Sequence, residues 1–224
     1  MAYACSLSII YIMNTKRLNK VKIEWSPKFA YAMGLMATDG NLSKDGRHMN
    51  MTSKDKAMIE TFKKCLGIDN KIGTKTRGNE KIKRYFQVQF GDKNFYEFLV
   101  GIGLTPAKSK TLGQLQIPKQ FFIDFLRGCI DGDGSIGSFQ HPESKQPQLR
   151  LSLYSASKPF LAWTKDNILG IFKITGGWLE DKKNSGVYKL AYGKADSIKL
   201  LKLMYYSDVE NYLERKYEIA KIYL

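Results

Sequence analysis

The stretch "FLRGCIDGDGSIGS", residues 125–138, sets two aspartates among glycines at the end of an apolar run. Alone it reads as a plain turn, a calcium loop or half of a nucleic-acid-cutting site. A second stretch, "YAMGLMATDGNLS" at 31–43, shares its pattern: Gly34 and Gly128 are each followed five residues later by an Asp-Gly pair, at Asp39 and Asp133. The two acids stand 94 residues apart, which points to a duplicated unit.

The duplication continues downstream. "FQVQFGDKNFYEFL" (86–99) aligns with "YKLAYGKADSIKLL" (188–201) at a shift of 102, and "MTSKDKAMIETFKKCLGI" aligns with "YSASKPFLAWTKDNILGI" with one gap. Apolar spacings of three and four predict helices over 26–38, 55–66, 93–102, 118–131, 158–169, 194–205 and 208–222; alternation predicts strands over 47–53, 84–90, 148–154 and 187–192. Each repeat then reads as helix, hairpin, helix, hairpin, helix. The expected class is α+β, with an αββαββα unit of about a hundred residues present twice. Ser26-Pro27 suits the start of the first motif helix and Ile117-Pro118 the second. The expected division is an N-terminal extension at 1–24, a first repeat at 25–104, a linker at 105–117 and a second repeat at 118–224.

With 36 Lys+Arg against 21 Asp+Glu among 224 residues, the chain carries a net charge of +15, which favours polyanionic partners, nucleic acid first. The segment "KIGTKTRGNEKIKR" (71–84) looks like a basic hairpin. Cys5, Cys65 and Cys129 are odd in number and far apart, which argues against a disulfide framework or a zinc knuckle. They read as buried or free thiols. His48 and His141 lack metal-ligand or paired nuclease spacing. The apolar opening "ACSLSIIYIM" is too short to span a bilayer and has no preceding positive charge, so an intracellular, non-secreted protein is expected.

A mid-helix glycine costs about 1 kcal/mol relative to alanine, so matched glycines call for close helix approach. Ala30, Gly34 and Thr38 on one helix, with Gly128 and Gly132 on the other, form small-residue stripes that would pair across an internal pseudo-twofold. Pairing brings Asp39 and Asp133 together at helix C-termini, with Gly40 and Gly134 suited to left-handed caps. The helix dipoles and the like charges both oppose this, and divalent cations with hard oxygen ligands would relieve it. The calcium-loop reading fails, because an EF-hand starting at Asp131 puts Ile136 at the glycine position and Pro142 at the glutamate position.

From about residue 25 onward the chain resembles the LAGLIDADG homing endonucleases in their single-chain, two-repeat form. The motif maps onto "AMGLMATDG" (32–40) and onto Leu126 with "RGCIDGDG" (126–134), departing at Ala37, Met33 and Arg127. The resemblance implies paired motif helices at the interface and two saddle-shaped antiparallel sheets lying in the major groove. It implies Mg2+, with Mn2+ or Ca2+ able to occupy the sites, held by Asp39 and Asp133 and the carbonyls of Thr38 and Gly132. Lys93 and Lys194 would assist catalysis, and Ser53 and Ser155 would order water. DNA contacts would come from Asn41, Ser43, Lys44, Arg47, Asn50, Lys75, Arg77, Lys83, Arg84, Gln87 and Gln89 in repeat one. In repeat two they would come from Ser138, Gln140, Gln146, Gln148, Arg150, Lys182, Lys183, Asn184 and Lys189.

The implied activity is a site-specific double-strand break in duplex DNA leaving 3′ overhangs, made by a monomer with no obligate protein partner and no membrane association. The alternative is an RNA-binding intron maturase of the same fold. A binding-only regulator ranks last because both motif acids are retained.

Overall fold

A computed structural model describes residues 19–76, 84–140, 147–182 and 185–224. Repeat one runs α1 (Pro27–Thr38), β1 (Gly40–Leu42), β2 (His48–Ser53), α2 (Lys56–Leu66), β3 (Ile72–Lys75), β4 (Tyr85–Gly91) and α3 (Lys93–Gly101). Repeat two runs α4 (Phe122–Asp133), β5 (Gly134–Phe139), β6 (Gln148–Ser155), α5 (Lys158–Phe172), β7 (Trp178–Lys182), β8 (Val187–Tyr192) and α6 (Lys194–Met204), followed by α7 (Glu214–Ala220). The sheets have the same order, β1-β2-β4-β3 and β5-β6-β8-β7, with every pairing antiparallel. No helix among the described residues is long and apolar enough to cross a membrane.

Each sheet buries one face under a helix. Met49, Met51, Val88 and Phe90 turn toward Ile59 and Phe62 of α2; Leu149, Leu151, Leu153 and Leu190 turn toward Phe160 and Leu161 of α5. The intervening positions face outward, as the period of two requires.

The α1–α4 contact joins the repeats. A Cβ on Gly34 would lie 2.2 Å from the Phe125 carbonyl oxygen, and one on Gly128 2.2 Å from the Tyr31 carbonyl oxygen. Neither backbone can retreat without separating the helices. Gly40 and Gly134 meet a different constraint from the one expected: neither has a positive φ, and Gly134 is extended at φ −98 and ψ 173. Their Cβ atoms would strike the carbonyls of Met36 and Ile130 on their own helices, at 2.7 and 2.6 Å. The need there is space.

Ser26 caps α1 by accepting from the Phe29 amide, with Pro27 at the first helical position as expected. The second motif helix starts later than expected. Pro118 precedes a 3-10 turn at Lys119–Phe121, and α4 begins at Phe122 and runs on to Asp133.

The last helix is shorter than the 208–222 that periodicity predicts. The chain before it is drawn inward to serve buried charges on α4. Arg127 is 1% exposed; it donates to the carbonyls of Asn211 and Met204 and to Asp124 Oδ1, each at 2.8 Å. The rings of Tyr31 and Tyr206 lie 5.5 and 5.6 Å from its guanidinium. Asp131 accepts from Tyr31 and from the Leu213 amide. These bonds hold the chain from Met204 to Leu213 against α4.

Urea unfolding of three variants tests this account. Gly34→Ala is expected to lower stability by about 1–3 kcal/mol or more, because overpacking here meets backbone. Gly170→Ala, at a helical position with open space around the Cβ, is expected to be neutral or to stabilise by up to about 1 kcal/mol. Arg127→Met is expected to cost about 3–5 kcal/mol by leaving Asp124 buried without its cation.

Candidate functional site

Asp39 caps the C-terminus of α1 and Asp133 is the last residue of α4. The helix contact brings these ends together. A Cβ on Gly132 would stand 2.0 Å from Thr38 Oγ1 and 2.8 Å from Asp39 Oδ2, so the backbone of one motif lies against the acid of the other. Asp39 is half-buried and its Oδ2 is sealed from solvent with no hydrogen-bond partner among the described residues; Asp133 is more exposed. Loss of water and the charge of Asp133 push Asp39 up to about 7. Asp133 is also raised, again chiefly by desolvation.

Two buried lysines face this pair, and both escaped sequence reasoning. Lys108, in a single 3-10 turn (Lys108–Lys110) after α3, donates to the carbonyl of Gly40 at 2.7 Å and of Thr38 at 3.4 Å. Lys216, on α7, donates to the carbonyls of Gly134 and Asp131 at 2.8 Å and to that of Ile130. Gly40 and Gly134 are the residues after the two acids, so the lysines are pseudo-symmetric. Each ammonium occupies the carbonyl end of a motif helix, where the dipole favours a cation. Burial pushes both lysines down to about 8, against the pull of Asp39 and Asp133. Ala107 reaches φ 56, a region sparse for non-glycine residues, in the turn that sends Lys108 inward.

A cleft of ≈ 650 Å³ opens beside Asp39 and runs onto the outer face of the first sheet. Asn41, Asn50, Lys75, Gln87 and Ser53 line it, joined by Lys54, Lys108 and, from α7, Arg215. Arg215 pairs with Asp55 at 3.1 Å.

The remaining expected residues divide. Lys93 and Lys194 do not line this cleft. Lys93 opens α3 and lies 3.9 Å from Glu97, and Lys194 opens α6 and donates to the Pro147 carbonyl. Ser53 and Ser155 hold matched posts, each accepting from the amide two residues on, at Asp55 and Ser157. Ser43, Lys44 and Arg47 surround the β1–β2 turn, and Arg84 immediately precedes β4. Ser138 bonds Tyr223 at 2.7 Å. Gln140 is exposed and Gln148 and Arg150 are half-buried on the second sheet, while Lys182 is exposed with its ammonium 4.6 Å from the Tyr154 ring. Lys189, expected to face DNA, is 8% exposed, and its ammonium donates to Glu180 at 2.7 Å. Arg77, Lys83, Gln146, Lys183 and Asn184 lie outside the described residues, as do Cys5, His141 and positions 1–18.

The donor set at the paired helix ends is two carboxylates with the carbonyls of Thr38 and Gly132 close by. These are hard oxygens, and the buried, unpartnered Asp39 Oδ2 is what a divalent cation would satisfy. The residues fit Mg2+ or a similar ion.

No family model and no curated protein matches the sequence. Solved structures do match in shape. The N-terminal LAGLIDADG domain of DUF199/WhiA aligns with a TM-score of 0.53 at 17% identity, covering 87% of this chain and 88% of that one. I-DmoI in complex with DNA and Mn aligns at 0.51 and 18% identity, covering 82% and 98%. I-SmaMI bound to uncleaved DNA target in the presence of calcium ions aligns at 0.56 and 12% identity, covering 89% and 91%. The chain therefore has the α+β, two-repeat LAGLIDADG fold, with the paired motif helices at its centre and a four-stranded antiparallel sheet in each half.

Proposed function

We propose that the protein is a site-specific DNA endonuclease that hydrolyses one phosphodiester bond in each strand of a duplex. Residues 25–104 and 118–224 would be its two repeats, joined by 105–117. The observation that carries this reading is the convergence of Asp39, Asp133, Lys108 and Lys216 at one end of the motif helix pair. In a chain with a net charge of +15, that cluster opens onto a cleft lined with polar and basic side chains. I-DmoI and I-SmaMI, which share the fold, have been solved on DNA.

Asp39 and Asp133, with the carbonyls of Thr38 and Gly132, would hold Mg2+ or Mn2+. Such an ion, when bound, supplies a water of lowered pKa and stabilises charge on the phosphate. The protein's own groups do the rest. Lys108 and Lys216 sit at the acids with pKa values near 8, so each holds a proton that can be shared with a reacting oxygen close to neutral pH. Their carbonyl bonds fix where those ammonium groups point, a pre-organisation that costs nothing at the moment of reaction. Lys54, Lys75 and Arg215 would hold the phosphate backbone along the cleft.

The test is incubation with a randomised duplex library and Mg2+, followed by sequencing of the cut ends. Defined double-strand cuts with 3′ overhangs are expected, abolished by chelator. Asp39→Asn and Asp133→Asn should each cut at least about a hundredfold more slowly while still binding DNA, and Lys108→Met should slow cutting about 10- to 1,000-fold. Defined cutting that persists in both Asp variants would defeat the proposal. Tight binding to intron RNA without any cutting would select the maturase alternative.

A second measurement needs no substrate. In chelator, folded Asp39 keeps its proton up to about pH 7, whereas the unfolded chain releases it near 3.8. The folded state thus binds more protons across that window, and stability falls as pH rises from about 4 to about 7. Asp39→Asn should flatten part of that fall in a pH series of urea titrations.

A further inference from the structure

The strand register places different chemistry on the outward faces of the two sheets. Across the first sheet Asn41 pairs with Asn50 and Asn50 with Gln89, which puts three carboxamides in one row over three strands. In the next row Thr52 pairs with Gln87 and Gln87 with Gly73. None of these four carboxamides bonds another described side chain, and Asn41, Asn50 and Gln87 line the cleft that begins at Asp39. Strands lie about 4.8 Å apart, so the row spans about 10 Å, roughly the rise of three base pairs.

The second sheet carries no such row. At the position that answers to His48 stands Arg150, by the same shift of 102 that relates Met51 and Leu153, the partners of Gly40 and Gly134. The Arg150 guanidinium lies between the rings of Phe139 and Trp178, 5.2 and 5.5 Å from their centroids. The Trp178 indole donates to Glu180 at 2.5 Å, and Glu180 accepts from Lys189 at 2.7 Å. Lys189, Glu180 and Trp178 thus hold the platform on which Arg150 rests. A guanidinium held in one plane loses less freedom when it makes a bidentate contact.

We propose that the two half-sites differ in base composition. The first sheet reads a run of three to four A·T pairs through its carboxamides, and the second fixes a guanine through Arg150, with Lys189 and Glu180 as positioning residues. Carboxamides pair in bidentate fashion with adenine N6 and N7, and arginine with guanine O6 and N7, in the major groove. The inference rests on the DNA-binding reading above, and it adds which half of the target carries which bases.

The experiment is binding selection from a randomised duplex pool by the intact protein, followed by sequencing of the bound DNA. Expected is a compositionally polar site: an A·T run on one side and an invariant guanine on the other. In Arg150→Lys, which keeps the charge and loses the fork, discrimination at that guanine should fall about 10- to 100-fold with the A·T run intact. Glu180→Gln should weaken the same position alone, which general destabilisation would not do. Asn50→Ala with Gln89→Ala should relax only the A·T run. An enriched site whose guanine survives Arg150→Lys, or whose bases next to the first sheet are G·C, overturns the assignment while leaving DNA recognition standing. Enrichment of no duplex overturns both.

Discussion

The structure depends on two helices touching backbone to backbone. Gly34 and Gly128 remove the side chains that would keep α1 and α4 apart, and everything at the candidate site follows from that proximity. Two helix C-termini meet, each carrying a carboxylate in the unfavourable field of its own dipole. The protein answers the strain with Lys108 and Lys216, which reach the same carbonyl ends from outside the motifs. Close packing and charge clustering are one feature, because the first creates the second.

The duplication is not symmetric in the interior. The second motif carries Arg127 and Asp131 where the first has Met33 and Ala37, and all four positions are buried. The two charged residues recruit Met204 at the end of α6, Asn211 and Leu213 in the chain between α6 and α7, and the first motif's Tyr31. A segment that would otherwise add a longer helix is used to satisfy buried charge. Burial pushes the Asp131 carboxyl up to about 6, even with Tyr31, Lys216, Arg127 and the Leu213 amide opposing the shift. The second half is thus tied down by polar bonds where the first is tied by methionine and alanine packing.

Much of this was legible in the chain. The five-residue interval from glycine to acid is local, so a repeat search finds it, and the alternation of 47–53 and 148–154 fixes strands with one buried face. What was not legible is long-range. Lys108 follows Asp39 by 69 residues and Lys216 follows Asp133 by 83, so the lysines sit at a repeat offset of 108 where the acids sit at 94. "AKSK" and "RKYE" share almost nothing but the lysine. The resemblance points to Lys93 and Lys194 after the second hairpins; they open α3 and α6 and do not line the cleft beside Asp39. The Lys189 ion pair is hidden in the same way, since strand parity puts Lys189 on the outer face but cannot reveal that Glu180 lies opposite.

The last helix ties the halves to each other. On α7, consecutive residues point about 100° apart. Lys216 turns in to the carbonyls that end α4, and Arg215 turns out to Asp55 at the start of α2 and to the cleft beside Asp39. One turn of chain from repeat two therefore braces the acid end of its own motif helix and completes the wall of the other repeat's cleft. The two repeats cannot be divided cleanly, because Lys108 lies in the connection between α3 and α4 and Arg215 reaches from α7 to Asp55 of the first repeat. The candidate site thus draws its parts from four separate stretches of sequence, the ends of α1 and α4, the turn at Lys108 and α7.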